Sequence, residues 1–419
     1  MRDAKAKAKY EPEVFRDKLF EVIGDIDPTD YAKISSALDA AGNSLDYRRY
    51  GDSFFELFVT GGLIAPGGIV QDDEEYGKVP FSLFALASDA DLLAGAKHWG
   101  ELITRLTQRY KYLELQFAEA SEHVLKNINR YGDDNNKKLA IGVGVLASTG
   151  FLSLEPLKVL QVEHLTKDGL ALRFATDVLR IYLGSNNIEQ LRKALARGKI
   201  TDLTAFFPPN RRDDGSVARH FEDEGMPELT ALHAATVAAG QRLAFVREIE
   251  AILREANDDD SDDDEDGAQA TNLRMAKGAR AAMRANKWEE ADMVVLVWDG
   301  LMQAVNWPTK PEQIEARALR QIQRHSDVLE VLTTEPKSEI ALLKHMQQYA
   351  HNEIRLTRVF GRMVLELYNA DVLSDSAIIF WWTKGAKPEG KSGFLKQTEA
   401  LVKKLQEEEE DDDDDDDEE

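Results

Sequence analysis

Residues 354–382 read IRLTRVFGRMVLELYNADVLSDSAIIFWW, and the spacing of their apolar positions decides the fold class. Ile354, Leu356, Val359, Phe360, Met363, Val364 and Leu367 recur at helical intervals, so they form one face of an α-helix and are core residues first. Ser374 is a capping residue type with Asp375 in the turn after it, which starts a second, short helix. Trp381 and Trp382 fall about 100° apart on that helix, so one indole can face the core while the other faces outward.

The same period runs upstream. Val14, Phe15, Leu19, Val22 and Ile23 predict a helix from Glu13, and Tyr31, Ile34 and Leu38 predict a second that ends at Gly42-Asn43. A third holds Tyr47, Tyr50, Phe54, Phe55, Phe58 and Val59 and stops at Gly61-Gly62, with Ala65-Pro66-Gly67-Gly68 as a turn. Asp91 to Asn129 predicts one or two long helices through Trp99, Leu102, Leu106, Tyr110, Leu113 and Phe117. Leu139–Leu146, Leu157–Leu165, Leu170–Tyr182 and Ile188–Ala196 continue the pattern, and few stretches alternate as strands do. Serial helices with short breaks predict an all-α chain of stacked antiparallel pairs, a HEAT-like solenoid. Between Phe206 and Pro227 the texture changes, with Pro208-Pro209, Arg211-Arg212 and Gly215, and we place a boundary there. The map is then a flexible start at 1–12, a helical array at 13–228, a second helical domain at 229–406 with an acidic disordered insert at 257–270, and an acidic disordered tail at 407–419.

Charge gives the first functional constraint. The 419 residues carry a formal −24, but thirteen carboxylates lie in 407–419 and eight more between Asp258 and Asp266, so without them the chain is close to neutral at −3. Such acidity disfavours nucleic acid as a direct partner and suits lysine-rich polypeptide. Carboxylates attract ammonium groups over a Debye length of roughly 8 Å, and indole faces add about 0.5–2 kcal/mol per contact. The candidate binding residues are therefore Tyr368, Asp371, Asp375, Trp381 and Trp382, followed by Glu407, Glu408, Glu409, Glu410, Asp411, Asp412 and Asp413. Ser261, with Asp on both sides and Asp264 three positions on, resembles a target of acid-directed kinases. The absence of cysteine excludes disulfides, thiolate nucleophiles and every Cys-ligated metal site. The basic N-terminus leads into no apolar core, and the weakly polar run Leu139–Leu154 is too short to span a bilayer. We expect a soluble, cytoplasmic monomer with no membrane contact.

One motif points elsewhere. Gly385-Ala386-Lys387-Pro388-Glu389-Gly390-Lys391-Ser392 satisfies GxxxxGK[ST], an apolar run from Ala377 to Trp382 precedes it, and Met293–Trp298 followed by Asp299 imitates the second nucleotide motif. Only 27 residues follow Ser392, thirteen of them the acidic tail, and the second motif lies upstream of the first, in the wrong order for a parallel sheet. A lysine-rich turn between two helices accounts for it better. There is no HExxH and no GxSxG, and carboxylates are too abundant for any pair to stand out as acid and base. We expect no enzyme, no cofactor and no metal.

Two stretches are recognisable beyond pattern. Leu38-Asp39-Ala40-Ala41-Gly42, Leu45-Asp46-Tyr47-Arg48-Arg49-Tyr50, Gly61 to Gly68 and Arg109-Tyr110-Lys111-Tyr112-Leu113-Glu114 resemble the N-terminal half of the initiation factor 5 mimic proteins, also called basic leucine zipper and W2 domain-containing proteins. Tyr368 to Trp382, with Gly390-Lys391-Ser392 and Phe394-Leu395, resembles the aromatic and acidic box that this family shares with initiation factor 5 and the ε subunit of factor 2B. The resemblance implies a HEAT-like array ending in a W2-type helical domain. It also implies competition: the C-terminal domain binds the lysine-rich β subunit of initiation factor 2, and factor 3, on the 40S preinitiation complex. Binding where initiation factor 5 would bind limits ternary-complex use and initiation at poor start codons.

This chain departs from the family in places. Ala370 stands where related boxes have Glu, and the second box has Leu401, Val402, Lys403 and Lys404 before pure carboxylates, with no aromatic. No basic stretch precedes sustained heptads, so a leucine zipper has no support. Initiation factor 5 stimulates GTP hydrolysis through an N-terminal domain with a cysteine-ligated zinc ribbon, which a chain without cysteine cannot build. Two other readings stay open: modulation of nucleotide exchange or GDP dissociation on factor 2, and a general acidic scaffold or histone chaperone.

Overall fold

The apolar periodicity is realised as helices whose ends coincide with the capping residues and glycines of the sequence. The computed structural model describes residues 10–42, 44–65, 69–70, 79–257 and 265–416. The chain divides into two compact units, residues 1–237 and 238–419. The division falls within the helix Pro227–Asn257, nine residues beyond the boundary expected at 228.

The first unit contains α1 (Pro12–Ile23), α2 (Tyr31–Ala41), α3 (Tyr47–Thr60), α4 (Leu92–Arg109), α5 (Tyr112–Leu125), α6 (Gly132–Ser148), α7 (Glu163–Thr166), α8 (Leu170–Leu183), α9 (Ile188–Arg197) and α10 (Asp214–Asp223). Asp30 caps α2 by accepting from the Lys33 N–H at 3.0 Å, and Asn187 and Gln190 close a reciprocal capping box on α9 at 2.9 Å each way. Gly61, at φ 66°, ends α3 in the left-handed conformation that glycine adopts without cost. The stretch 91–129 is two helices because Tyr110 leaves helical geometry at φ −116°, ψ 72°.

Two expectations change. Leu157–Leu165 is a 3-10 turn, Glu155–Leu160, followed by the four-residue α7, since Val162 is extended between them. The region 206–227 is no boundary: it folds α10, and Val217, Phe221 and Met226 are buried in the core of the first unit. Its prolines and arginines end short turns without interrupting the array. Among the described residues the only strands are β1 (Ile64–Ala65) and β2 (Ile69–Val70), paired antiparallel with Ile64 opposite Val70. Residues 66–68 of the expected turn lie outside the described residues.

Packing follows the stacked-pair pattern, each helix resting on the next but one: α3 on α5, α4 on α6, α6 on α8. Phe54 is the aromatic centre, with ring centroids 4.7 Å from Phe58, 4.9 Å from Tyr47 and 6.0 Å from Phe117. Trp99 on α4 donates its indole N–H to the Phe58 carbonyl at 3.0 Å, which satisfies a polar atom in an otherwise apolar core. Gly144 lets α6 approach α8: a Cβ there would sit 2.7 Å from Cβ of Ile181.

The second unit takes up the end of α11 (Pro227–Asn257) and adds α12 (Glu265–Asn286), α13 (Glu290–Gln303), α14 (Pro311–Glu330), α15 (Pro336–Asn352), α16 (Phe360–Asn369), α17 (Asp375–Phe380) and α18 (Lys391–Asp416). The rule of next-but-one packing repeats in α12 on α14, α13 on α15, α14 on α16 and α16 on α18. Residues 258–264, Ser261 among them, lie outside the described residues, and the expected insert is already helical from Glu265. The last helix also runs on to Asp416, past the tail boundary expected at 407. No helix among the described residues is long and apolar enough to cross a membrane.

Helix α14 bends at His325, where φ −124° and ψ 18° break the helical run. Asn272 on α12 holds the bend: its Nδ2 donates to the Arg324 carbonyl at 3.0 Å, which leaves its Oδ1 to accept from His325 Nδ1 at 2.6 Å. Burial, with a smaller push from Arg324, lowers the His325 pKa to about 4. The imidazole is therefore neutral in the folded unit and titrates near 6.5 when unfolded. Its contribution is intact above about pH 6.5 and is lost as pH falls towards 4, by up to about 3 kcal/mol. Guanidinium unfolding of the second unit should weaken more between pH 7 and pH 4.5 in the wild type than in His325→Gln; equal losses would refute the burial of a neutral histidine.

Candidate protein-binding surface

The aromatic and acidic segment is built on a helix end. Where α16 stops, the Val372 N–H donates to the Leu367 carbonyl at 2.9 Å and the Asp371 N–H to the Tyr368 carbonyl at 3.1 Å, the bond pair of a Schellman cap with Leu367 and Val372 both buried. Asp371 occupies the left-handed position, φ 57°, that Asp and Asn tolerate better than other side-chain-bearing residues. Its carboxylate is exposed. Three residues on, Ser374 caps α17 by accepting from the Ala377 N–H at 3.4 Å. Its own N–H and Oγ donate to Oε2 of Glu339, a buried carboxylate on α15, at 2.5 and 2.7 Å. Asp375 and Tyr368 are half-buried.

The two indoles part company. Trp381, expected on the binding surface, is completely buried, 5.4 Å from Phe360, whose ring lies 4.6 Å from Phe394. Its Nε1 donates to Gln347 Oε1 at 3.2 Å. Trp381 is thus a core residue and presents no surface. Trp382 is half-buried, and its Nε1 donates to the Leu395 carbonyl at 3.2 Å. The aromatic that does face outward is Phe380, 42% exposed, which the sequence reading passed over. Phe380 lies off the face of α17 that buries Ala377, Ile378 and Trp381, and its place in that period was the available signal.

Gln347 fixes the next stretch as well. Its Oε1 also accepts from the Lys387 N–H at 2.9 Å, and its Nε2 donates to the carbonyls of Lys387 and Glu389 at 2.7 and 2.8 Å. The Ala386 N–H donates to Trp381 at 2.8 Å, Lys391 to Pro388 at 3.3 Å, and Gly393 and Phe394 to Gly390 at 3.1 Å. These amides, which a phosphate loop would turn towards its ligand, are spent inside the protein. The preceding run is helix α17 and the second-motif imitation lies within α13, so neither flank is a strand.

Helix α18 carries the acids. Phe394, Thr398, Val402 and Leu405 form its buried stripe, and Leu405 is the last apolar residue of the sequence. A hydrogen bond from Lys403, 2.8 Å away, holds Glu399 below its usual range, and Glu399 raises Lys403 in turn. Glu407 is exposed, and Glu408 to Asp413 follow on the same helix. At a rise of about 1.5 Å per residue, Glu407 lies about 18 Å along α18 from Leu395, where Trp382 docks. That is the separation along α18 between the docked indole and the start of the acidic run.

The 5MP1/2 HEAT domain profile matches residues 1–242. The chain belongs to the eIF5-mimic protein family. Residues 338–415 match the W2 domain, described as eIF4-gamma/eIF5/eIF2-epsilon. Over 402 residues the chain is 30% identical to eIF5-mimic protein 1 of Gallus gallus, covering 96% of this chain and 93% of that one. It is 28% identical to eIF5-mimic protein 2-A of Danio rerio over 401 residues, and 29% identical to Protein krasavietz of Drosophila melanogaster over 409. Each of these alignments covers 96% of this chain and 91% of the relative. Family membership makes the protein a W2-domain regulator of translation initiation related to eIF5.

Mutations separate scaffold from surface. Trp381→Ala should cost about 3–5 kcal/mol, as for a fully buried aromatic. Asp371→Gly should be neutral or slightly stabilising, while Asp371→Val should cost about 1–2 kcal/mol at a left-handed position. Denaturant midpoints of the second unit check all three, and a Trp381→Ala protein as stable as wild type would contradict its core assignment.

Proposed function

We propose that this eIF5-mimic protein is a non-catalytic competitor of initiation factor 5. It binds the lysine-rich β subunit of initiation factor 2, and factor 3, on the 40S preinitiation complex in the cytoplasm. Occupying those sites limits ternary-complex use and initiation at poor start codons. The observation that carries the reading is helix α18, whose buried stripe ends at Leu405 and whose sequence from Glu407 to Asp416 is unbroken carboxylate. A lysine-rich segment paired with that run meets one carboxylate per residue from Glu407 on, and attraction between two arrays of charge depends little on side-chain geometry. Asp371, Asp375 and the exposed Phe380 supply a second, smaller contact. The sequence contains no cysteine for a zinc ribbon, which supports occupancy of factor 2 without stimulation of its GTPase.

Burial of Trp381 favours one other reading, a general acidic scaffold, because it removes an indole from the surface that would give specificity. A salt-series titration against the lysine-rich β segment separates the two. The full chain should bind with affinity that falls steeply with salt. A chain ending at Gln406 should bind at least about tenfold more weakly at physiological salt, a loss of about 1.4 kcal/mol, with a flatter salt slope. Asp371→Gly with Phe380→Ala should weaken the β segment but leave polylysine binding unchanged. Equal affinity for the segment and for polylysine in every variant would leave only the scaffold.

A further inference from the structure

Helix α14 carries charge of the opposite sign. Arg317, Arg320 and Arg324 are spaced i, i+3 and i+7 and share one face of the helix. With Asn306 and Gln321 they line a pocket of about 200 Å3. The base of the pocket is fixed: Gln321 Nε2 donates to the Leu301 carbonyl in the last turn of α13 at 3.0 Å, and Val305 beside it is buried.

Most other arginines of this unit with a defined partner sit on carboxylates: Arg362 on Glu315 at 3.1 Å, Arg242 on Asp292 at 3.0 Å, Arg274 on Glu255 at 2.8 Å. Neither Arg317 nor Arg324 has a carboxylate partner among the described residues, although the chain has 76 acids for 52 bases. Arg324 is also half-buried, so part of its hydration is given up with no carboxylate partner among the described residues. An anion entering the pocket would supply that charge.

We propose that the α14 arginine pocket binds a phosphomonoester, the phosphate of a phosphorylated serine or threonine on a partner polypeptide. The guanidinium groups of Arg317 and Arg324, with Arg320 between them on the same helix face, offer N–H donors to a compact group with three terminal oxygens and a charge near −2 at neutral pH. A carboxylate brings two oxygens and one charge and leaves part of that set unused. Nucleic acid fits less well: no aromatic side chain lines the pocket for a base to stack on, and a chain of net charge −24 repels an extended polyanion more than a single phosphate.

The test is calorimetric titration of the full chain with O-phosphoserine at constant ionic strength, beside glutamate and a short single-stranded oligouridine. O-phosphoserine should bind saturably in the millimolar range. The Arg317→Gln, Arg324→Gln double variant should weaken it by about tenfold or more, while Arg130→Gln, an exposed arginine of the first unit, should bind as wild type. Circular dichroism and an unchanged melting curve establish that the double variant is folded. Glutamate binding as tightly as O-phosphoserine, or O-phosphoserine binding equally well to the double variant, would overturn the assignment. Oligouridine binding tighter than O-phosphoserine and abolished by the same two substitutions would make the pocket a nucleic-acid contact instead.

Discussion

One buried amide organises the functional end of the C-terminal unit. Gln347 has no exposed surface, and its side chain makes four hydrogen bonds: one with the Trp381 indole, two with the backbone of Lys387 and one with the Glu389 carbonyl. A polar group at that depth must be fully paired, because an orphaned donor or acceptor costs about 1–3 kcal/mol. The pairing draws Trp381 into the core, closes the turn after it and pins the loop from which α18 departs. Gln347 thereby fixes where α18 starts, and the buried stripe from Phe394 to Leu405 sets its course.

This arrangement assigns different work to residues that look alike in sequence. Of the three consecutive aromatics Phe380, Trp381 and Trp382, one faces solvent, one is core and one docks on α18. Asp371 is both a helix-capping residue and an exposed charge. The acids from Glu407 on follow Leu405, the last residue of the buried stripe of α18. Carboxylates at a helix C-terminus oppose the macrodipole and repel one another, so that segment gains most from a cationic partner. Attraction of this kind is long-ranged and loosely oriented, which suits a competitor that must find a lysine-rich segment quickly and leave it again.

Most of the helices could be read locally, because a helix's apolar face is written in neighbouring residues. Ser374 as a cap and Gly61 as a terminator rested on such signals, while the GxxxxGKS stretch was rejected on the order of the motifs along the chain. The misreadings share a physical cause. Burial of Trp381 depends on Gln347, 34 positions upstream, and the support of Ser374 comes from Glu339, 35 upstream; no short window contains either pair. The 206–227 region looked like a linker because its prolines and charges were visible while the burial of Val217 and Phe221 was decided by the first unit's core. The pocket on α14 escaped notice since arginines at helical spacing usually mark a solvated face, and only the fold shows which of them lack carboxylate partners.

The central claim is occupancy of initiation factor 2 without activation of its GTPase. The most direct measurement titrates the full chain into a preformed complex of factor 2, GTP, initiator tRNA and fluorescently labelled initiation factor 5, on 40S subunits, following release of the label and GTP hydrolysis together. The account predicts that the label leaves and that hydrolysis falls to its rate without initiation factor 5. Retention of the label at saturating protein, or hydrolysis that accelerates as the label leaves, would contradict it.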